Sequence, residues 1–432
     1  MVQTLASLAA LIFAASLVNL ANSTLTTVMP LRMLEDDASG MAIALFGAAF
    51  FLGFALGCFT QPSLIRRVGY IRAFAVAASV CSGLSIIMDL SDSIELWLAL
   101  RFLMGIAVAS IFAAVDGWIN GTASHANRGR VFAIYGWLLG SSAVLSQMIL
   151  IYFDGMVVGF IIVISLAFNI ALVILAMTRT VPPDQTSMQA EGSFKLVFTS
   201  RVSVGTAFYA GLVTTAILSI LPAVLVDAGV VESYIGTVIG AFFLGRLLLQ
   251  IPIGIIADKV DQRRMVAIMA SLIGVTAIAG AALIFYDSTV LLISGPGRTL
   301  FLLVMLILGG LVLPLYTLAN SLAFMNASGR PAIQVATSLL LINSTGAVAG
   351  PLLVAAMTPV FEHYALSIVI ASASTLMALL AVRHSGQTTR GDFRPSKIST
   401  IPTTSVASTR IMADDRSTPS PTANPQTTSS PS

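Results

Sequence analysis

The sequence predicts an all-α membrane protein with twelve transmembrane helices in two pseudo-symmetric six-helix bundles. Three observations carry this expectation. Apolar residues make up 57% of the chain and charged residues only 9%, where a typical soluble domain carries about 25% charged. Most of the outward surface must therefore meet lipid. Apolar runs of membrane-crossing length recur along the chain. Finally, the pentapeptide AFFLG stands at 49–53 and again at 241–245, an offset of 192 that also pairs Pro30 with Pro222, Glu35 with Asp227, Ile43 with Ile235 and Arg72 with Arg264. A repeat this long marks two copies of one large half, not a solenoid unit.

Crossing about 30 Å of hydrocarbon takes about 20 residues. Each crossing must be helical, because an unpaired backbone group finds no water there. Twelve runs qualify: 5–31, 41–65, 71–90, 94–119, 130–153, 157–178, 202–226, 233–257, 264–286, 300–323, 332–358 and 362–383. The first lacks a basic leader and a small-residue cleavage signature, so it reads as a retained span. The tenth follows Ser294-Gly295-Pro296-Gly297, which interrupts an apolar run. The runs group into bundles at 1–178 and 201–384, joined by a polar linker at 179–200 that carries Pro182-Pro183. Residues 385–432 are rich in Ser, Thr and Pro; such a tail cannot bury a core and is expected to be disordered. Cys58 and Cys81 fall in apolar runs and read as packing residues.

Basic residues set the orientation. With twelve spans, both termini, the linker and the even-numbered loops share one side. Eighteen Lys and Arg fall there, against Arg32 and Arg298 on the other. The positive-inside rule makes the rich side cytoplasmic.

Two six-span halves in parallel repeat are the architecture of the major facilitator transporters. Local sequence extends the likeness. Pro30-Leu31-Arg32, Ile65-Arg66-Arg67-Val68-Gly69-Tyr70-Ile71-Arg72, Arg101-Phe102-Leu103-Met104-Gly105 and Asn127-Arg128-Gly129-Arg130-Val131 resemble the YcaD-like branch of that superfamily. So do the stretch from Gly245-Arg246 to Gly254 and Gly309-Gly310 with Pro314-Leu315-Tyr316. The resemblance covers about residues 17 to 382 and implies a bacterial inner-membrane secondary transporter. The chain also departs from the superfamily pattern Gly-x-x-x-Asp-Arg-x-Gly. The first half has Pro62 and Arg66 at the Gly and Asp positions, and the second has Asp261 at the last Gly. Span 5 has Leu145-Ser146-Gln147 where antiporters carry Gly-Pro, whereas span 11 has Gly346 to Gly350-Pro351, so antiport stays open.

A charge at a helix centre costs roughly 2.5–3.5 kcal/mol on insertion scales, so each one retained asks for a reason. Arg246, mid-span 8 with Gln250 one turn on, has two readings. It faces the central cavity, holding an anionic or strongly polar substrate group or sensing a coupling carboxylate, or it makes an interhelical structural bond. Arg101 lies about two turns inside the outer end of span 4. The resemblance matches it to an arginine linked to proton coupling; otherwise it snorkels towards Glu95 and Asp92. Apart from Asp89, Glu95 and Glu362 at the span ends, Asp116 is the sole carboxylate within the spans. It reads as a proton carrier, its acidity weakened by desolvation, or as a gate latch against the basic loop at Arg66, Arg67 and Arg72. The resemblance implies the latch. Asp258 and Lys259 hold the corresponding loop of the second half.

Polar uncharged residues fall in a pattern. Asn19, Asn22, Ser23 and Thr26 follow i, i+3, i+4, i+7 spacing, one face of a helix. The resemblance places spans 1, 4, 7 and 10 around the central cavity. The expected substrate-binding set is therefore these four with Trp118, Asn120, Thr214, Arg246, Tyr316 and Asn320, and Gln147 and Asn343 stand behind them. Ser and Thr also bond to their own helix backbone.

Other chemistry finds no purchase. No Gly-x-x-x-x-Gly-Lys-Ser/Thr stretch exists to bind ATP. His125, His363 and His384 are too scattered for a metal site, and no nucleophile–base constellation is visible. The chain reads as no enzyme, with no catalytic residue, cofactor, metal or nucleic-acid partner. It reads as a monomeric secondary active transporter in the lipid bilayer, moving a small polar or amphipathic solute by alternating access with proton coupling. The alternative is a non-transporting receptor or scaffold that signals through its C-terminal tail.

Overall fold

The computed structural model describes residues 2–122, 128–152, 157–178, 200–230, 232–286, 296–325 and 332–384. Almost all of the expected linker and the whole tail lie outside the described residues. Among the described residues every regular element is helical. The helices are α1 (Val2–Glu35), α2 (Gly40–Val68), α3 (Tyr70–Asp89), α4 (Ile94–Thr122), α5 (Arg128–Tyr152), α6 (Val157–Ala176), α7 (Arg201–Asp227), α8 (Glu232–Lys259), α9 (Gln262–Tyr286), α10 (Pro296–Val312), α11 (Leu315–Met325), α12 (Ala332–Phe361) and α13 (Ala365–His384). Nine described stretches are long and apolar enough to cross a membrane. The last, Ser338–Arg383, covers both α12 and α13, and the shorter apolar helices Ile134–Ile149 and Ile161–Ala176 lie in α5 and α6. With α10 and α11 counted as one crossing, the fold is consistent with twelve spans.

The tenth crossing differs from expectation. Its helix starts at Pro296, not near residue 300, because proline's fixed φ suits the first helical position. It then divides at Leu313-Pro314, since Pro314 has no N–H and pushes the preceding residue out of the helical region. Leu313 N still donates to Gly309 O at 3.1 Å, and Leu318 N to Pro314 O at 3.1 Å, so the break costs few backbone bonds.

Packing gives the repeated pentapeptide its physical meaning. A Cβ added at Gly53 would run into the Phe102 carbonyl, and one at Gly105 into the Phe50 carbonyl. Helices α2 and α4 thus cross backbone against backbone, as small residues permit in membranes. In the second half Gly245 meets the Leu306 carbonyl and Gly309 the Phe242 carbonyl. Gly57 lies against Ile106, and Gly310 against Leu249. The α2 residues map to α8 at an offset of 192, and the α4 residues to α10 and α11 at 204. The two crossings are one crossing made twice.

The correspondence reaches the end of the bundle that carries the 66–72 loop. Gly69 joins α2 to α3 with φ of 91°, a region open to glycine. Its counterpart Asp261 instead caps α9, its Oδ1 accepting from Arg263 N at 3.1 Å. Beside them the Tyr70 ring fills the space over Gly117, while Gln262 Nε2 donates to Ser321 Oγ at 2.9 Å. The halves meet along α2–α12 and α5–α8, with α1 and α2 also against α7. Leu247 fills the space over Gly140, and Ser219 that over Gly47.

Candidate substrate site and gate

Arg101 is a deeply buried cation of the first half, 2% exposed. It points across to α1. Its Nη1 donates to Asn22 Oδ1 at 3.2 Å and approaches Met104 Sδ at 3.4 Å, and its Nη2 donates to Thr26 Oγ1 at 2.7 Å. The Thr26 hydroxyl donates in turn to Asn22 O at 2.7 Å. Two α2 rings close the site, with the Arg101 guanidinium carbon 5.2 Å from the centroid of Phe46 and 4.4 Å from that of Phe50. The side chain does not reach the acids at the helix end. Asp92 is bound by Arg32 at 3.2 Å, and Glu95 accepts from Ser93 Oγ at 2.9 Å.

The polar face of α1 is divided between two neighbours. Asn22 and Thr26 serve Arg101, whereas Asn19 Nδ2 donates to Leu139 O at 2.9 Å and to Ser142 Oγ at 3.0 Å on α5. Thr27, which the spacing did not single out, donates to Gln147 Oε1 at 3.2 Å and to Ser23 O at 3.4 Å. Ser23 and Thr214 are half-buried. In the second half Arg246 Nε donates to Gln250 Oε1 at 3.2 Å, one turn along its own helix. Asn343 Nδ2 donates to Ala207 O at 2.9 Å, tying α12 to α7.

Of the expected gate residues, Asp116 lies at the 66–72 end. Asp116 and Trp118 are each 1% exposed, on either side of the glycine that faces Tyr70. The Tyr70 and Trp118 rings are 6.4 Å apart. Tyr316 and Asn320 are buried on α11, Asn320 Nδ2 donating to Tyr316 O at 3.0 Å. Cys58 on α2, also buried, lies within electrostatic reach of both Asp116 and Tyr316, so parts of both halves come together there. Arg67 and Arg72 are exposed. The side chains of Arg66, Asn120, Asp258 and Lys259 lie outside those described. Residue spacing did not reveal Phe46, Phe50 or Met104 as neighbours of Arg101. The available signal was Gly53, which brings α2 against α4 within a turn of that arginine.

A helical bundle that crosses the membrane many times, in two halves repeating one set of contacts around buried polar clusters, defines a membrane transport protein. Residues 11–225 match the family model of the Major Facilitator Superfamily, and the chain belongs to that superfamily of transporters. It is 25% identical over 391 residues to a protein named uncharacterized MFS-type transporter YcaD of Escherichia coli O45:K1, covering 86% of this chain and 94% of that one. Its fold is similar to the inward open conformation of the xylose transporter XylE from E. coli, with a TM-score of 0.68, 15% identity, and coverage of 90% and 98%. It is also similar to the nucleoside transporter NupG, with a TM-score of 0.65, 12% identity, and coverage of 88% and 100%.

Proposed function

We propose that this protein carries a small polar or amphipathic solute by alternating access, as a monomer in a bacterial inner membrane, coupled to protons. The bundles 1–178 and 201–384 rock about a site between them, with both termini and the 179–200 linker in the cytoplasm. Asn22, Thr26 and Arg101 face the solute from the first half, and Thr214, Arg246, Tyr316 and Asn320 from the second. The loop at 66–72 with Asp116, and the loop at 258–264, form the cytoplasmic closures. The observation that carries this reading is the doubled crossing, Gly53 on Phe102 and Gly245 on Leu306, which supports two equivalent bodies able to move against each other. The neighbours named xylose and nucleoside transporters suit a polar organic solute.

A metabolite library screened by thermal shift on the purified full chain supplies candidates, and each hit is tested for flux in proteoliposomes with and without a pH gradient. Flux that persists after removal of residues 385–432 and rises with the gradient is the expected result. Binding with no flux under any gradient overturns the reading and leaves a receptor that signals through the tail.

A further inference from the structure

Arg101 carries a charge that its described surroundings do not neutralise. A guanidinium stays protonated in proteins and offers five N–H donors. Two on Nη1 reach Asn22 and Met104, and one on Nη2 reaches Thr26. Nε has no hydrogen-bond partner, which leaves it and one Nη2 hydrogen, donors on neighbouring nitrogens. Among the described residues no Asp or Glu pairs with it, whereas Arg32, nearer the same end of the bundle, has Asp89 and Asp92. Ring faces and neutral oxygens compensate part of the cost of burial, but a charge held this deep ordinarily finds an opposite charge. Two donors on adjacent guanidinium nitrogens match the two oxygens of a carboxylate.

We infer that Arg101, with Asn22 and Thr26 holding it in place, binds the anionic group of the transported solute, and that this group is a carboxylate. The inference rests on the carrier reading and narrows its solute from polar to anionic. The one cation of this cluster faces neutral partners, which fits one carboxylate group bound there. Asn22 and Thr26 are only half-buried, so the cluster is not sealed off on its α1 side.

The test is the melting temperature of the purified full-length protein with butyrate or benzoate, each against its uncharged amide at equal concentration, with chloride as a further control. A carboxylate is expected to raise Tm by about 2–4 °C, its amide to leave Tm unchanged, and Arg101→Gln to remove the response. Asn22→Asp gives an independent arm where Arg101→Gln fails to fold. Its carboxylate would stand where Asn22 Oδ1 now sits, 3.2 Å from the guanidinium. It should raise the basal Tm and abolish the response to added carboxylate. No shift with either acid, an equal shift with an amide or chloride, or a full response in either variant overturns the inference. Proteoliposome uptake of labelled benzoate and benzamide separates the two readings. Carriage of the amide alone keeps the carrier and removes the anion site, whereas benzoate binding without flux keeps the site and removes the carrier.

Discussion

Gly53 lies so close to Phe102 that a methyl group at residue 53 would overlap the Phe102 carbonyl oxygen. That oxygen belongs to backbone and cannot swing aside, so the helices themselves must part. Gly53→Ala should therefore cost at least the 1–3 kcal/mol roughly expected of overpacking, and Gly245→Ala a similar amount. Gly83 on α3 is the control, since nothing lies within 4 Å of its missing Cβ. Gly83→Ala should be neutral or stabilising by about 0.5–1 kcal/mol. Melting temperatures of the three purified variants check this, and a Gly53→Ala protein as stable as Gly83→Ala would show that α2 and α4 are not in close contact.

Thr26 supplies the shortest bond to Arg101, 2.7 Å. Thr26→Val keeps the shape and removes the acceptor, and a hydrogen bond to a charged group is worth about 1.5–3 kcal/mol. Transport efficiency should fall about tenfold or more, and Thr26→Ser should restore most of it. Asn19 bonds to α5 instead, so Asn19→Ala should lower stability more than solute affinity. Flux and Tm measured on the same preparations separate the two effects.

Much of the fold was legible because lipid leaves the chain few choices. Span positions follow from apolar run length, and the AFFLG repeat identified two halves without reference to any structure. The site was less legible, because periodicity gives a helix face and not its neighbour. Asn19 and Asn22 share a face by spacing, yet one bonds to α5 and the other to α4. Phe50 stands inside the repeated pentapeptide, and only packing shows it beneath Arg101. The second half of the repeat was hidden by its shift to 204: apart from Gly105 and Gly309, little local identity links α4 to α10.

Arg32 ties α1 to the turn between α3 and α4, and its two partners should not contribute equally. Asp89 is 22% exposed and Asp92 88%. Exposed ion pairs are worth about 0–1 kcal/mol, so Asp92→Asn should leave Tm almost unchanged. Asp89→Asn should cost more, and Arg32→Ala most, since it also removes the cation–π contact with Trp97 at 5.2 Å. Thermal denaturation at low and high salt is the check. Equal losses for the two aspartate variants would remove burial as the explanation.

Asp116 and Asn320 occupy equivalent positions, 204 residues apart, each one residue before the group that faces Tyr70 or Gln262. One half therefore has a carboxylate where the other has its neutral isostere. If the carboxylate latches the first half to the loop at 66–72, Asp116→Asn makes the two halves alike and weakens closure at that end. Cys58 is a ready reporter, being buried beside Asp116. In a Cys81→Ala background, maleimide should label Cys58 about tenfold faster after Asp116→Asn, the effect expected from losing a charge-assisted hydrogen bond. Asn320→Asp should slow labelling by strengthening the opposite closure. Unchanged rates in both variants would mean that the charge at residue 116 has no part in gating.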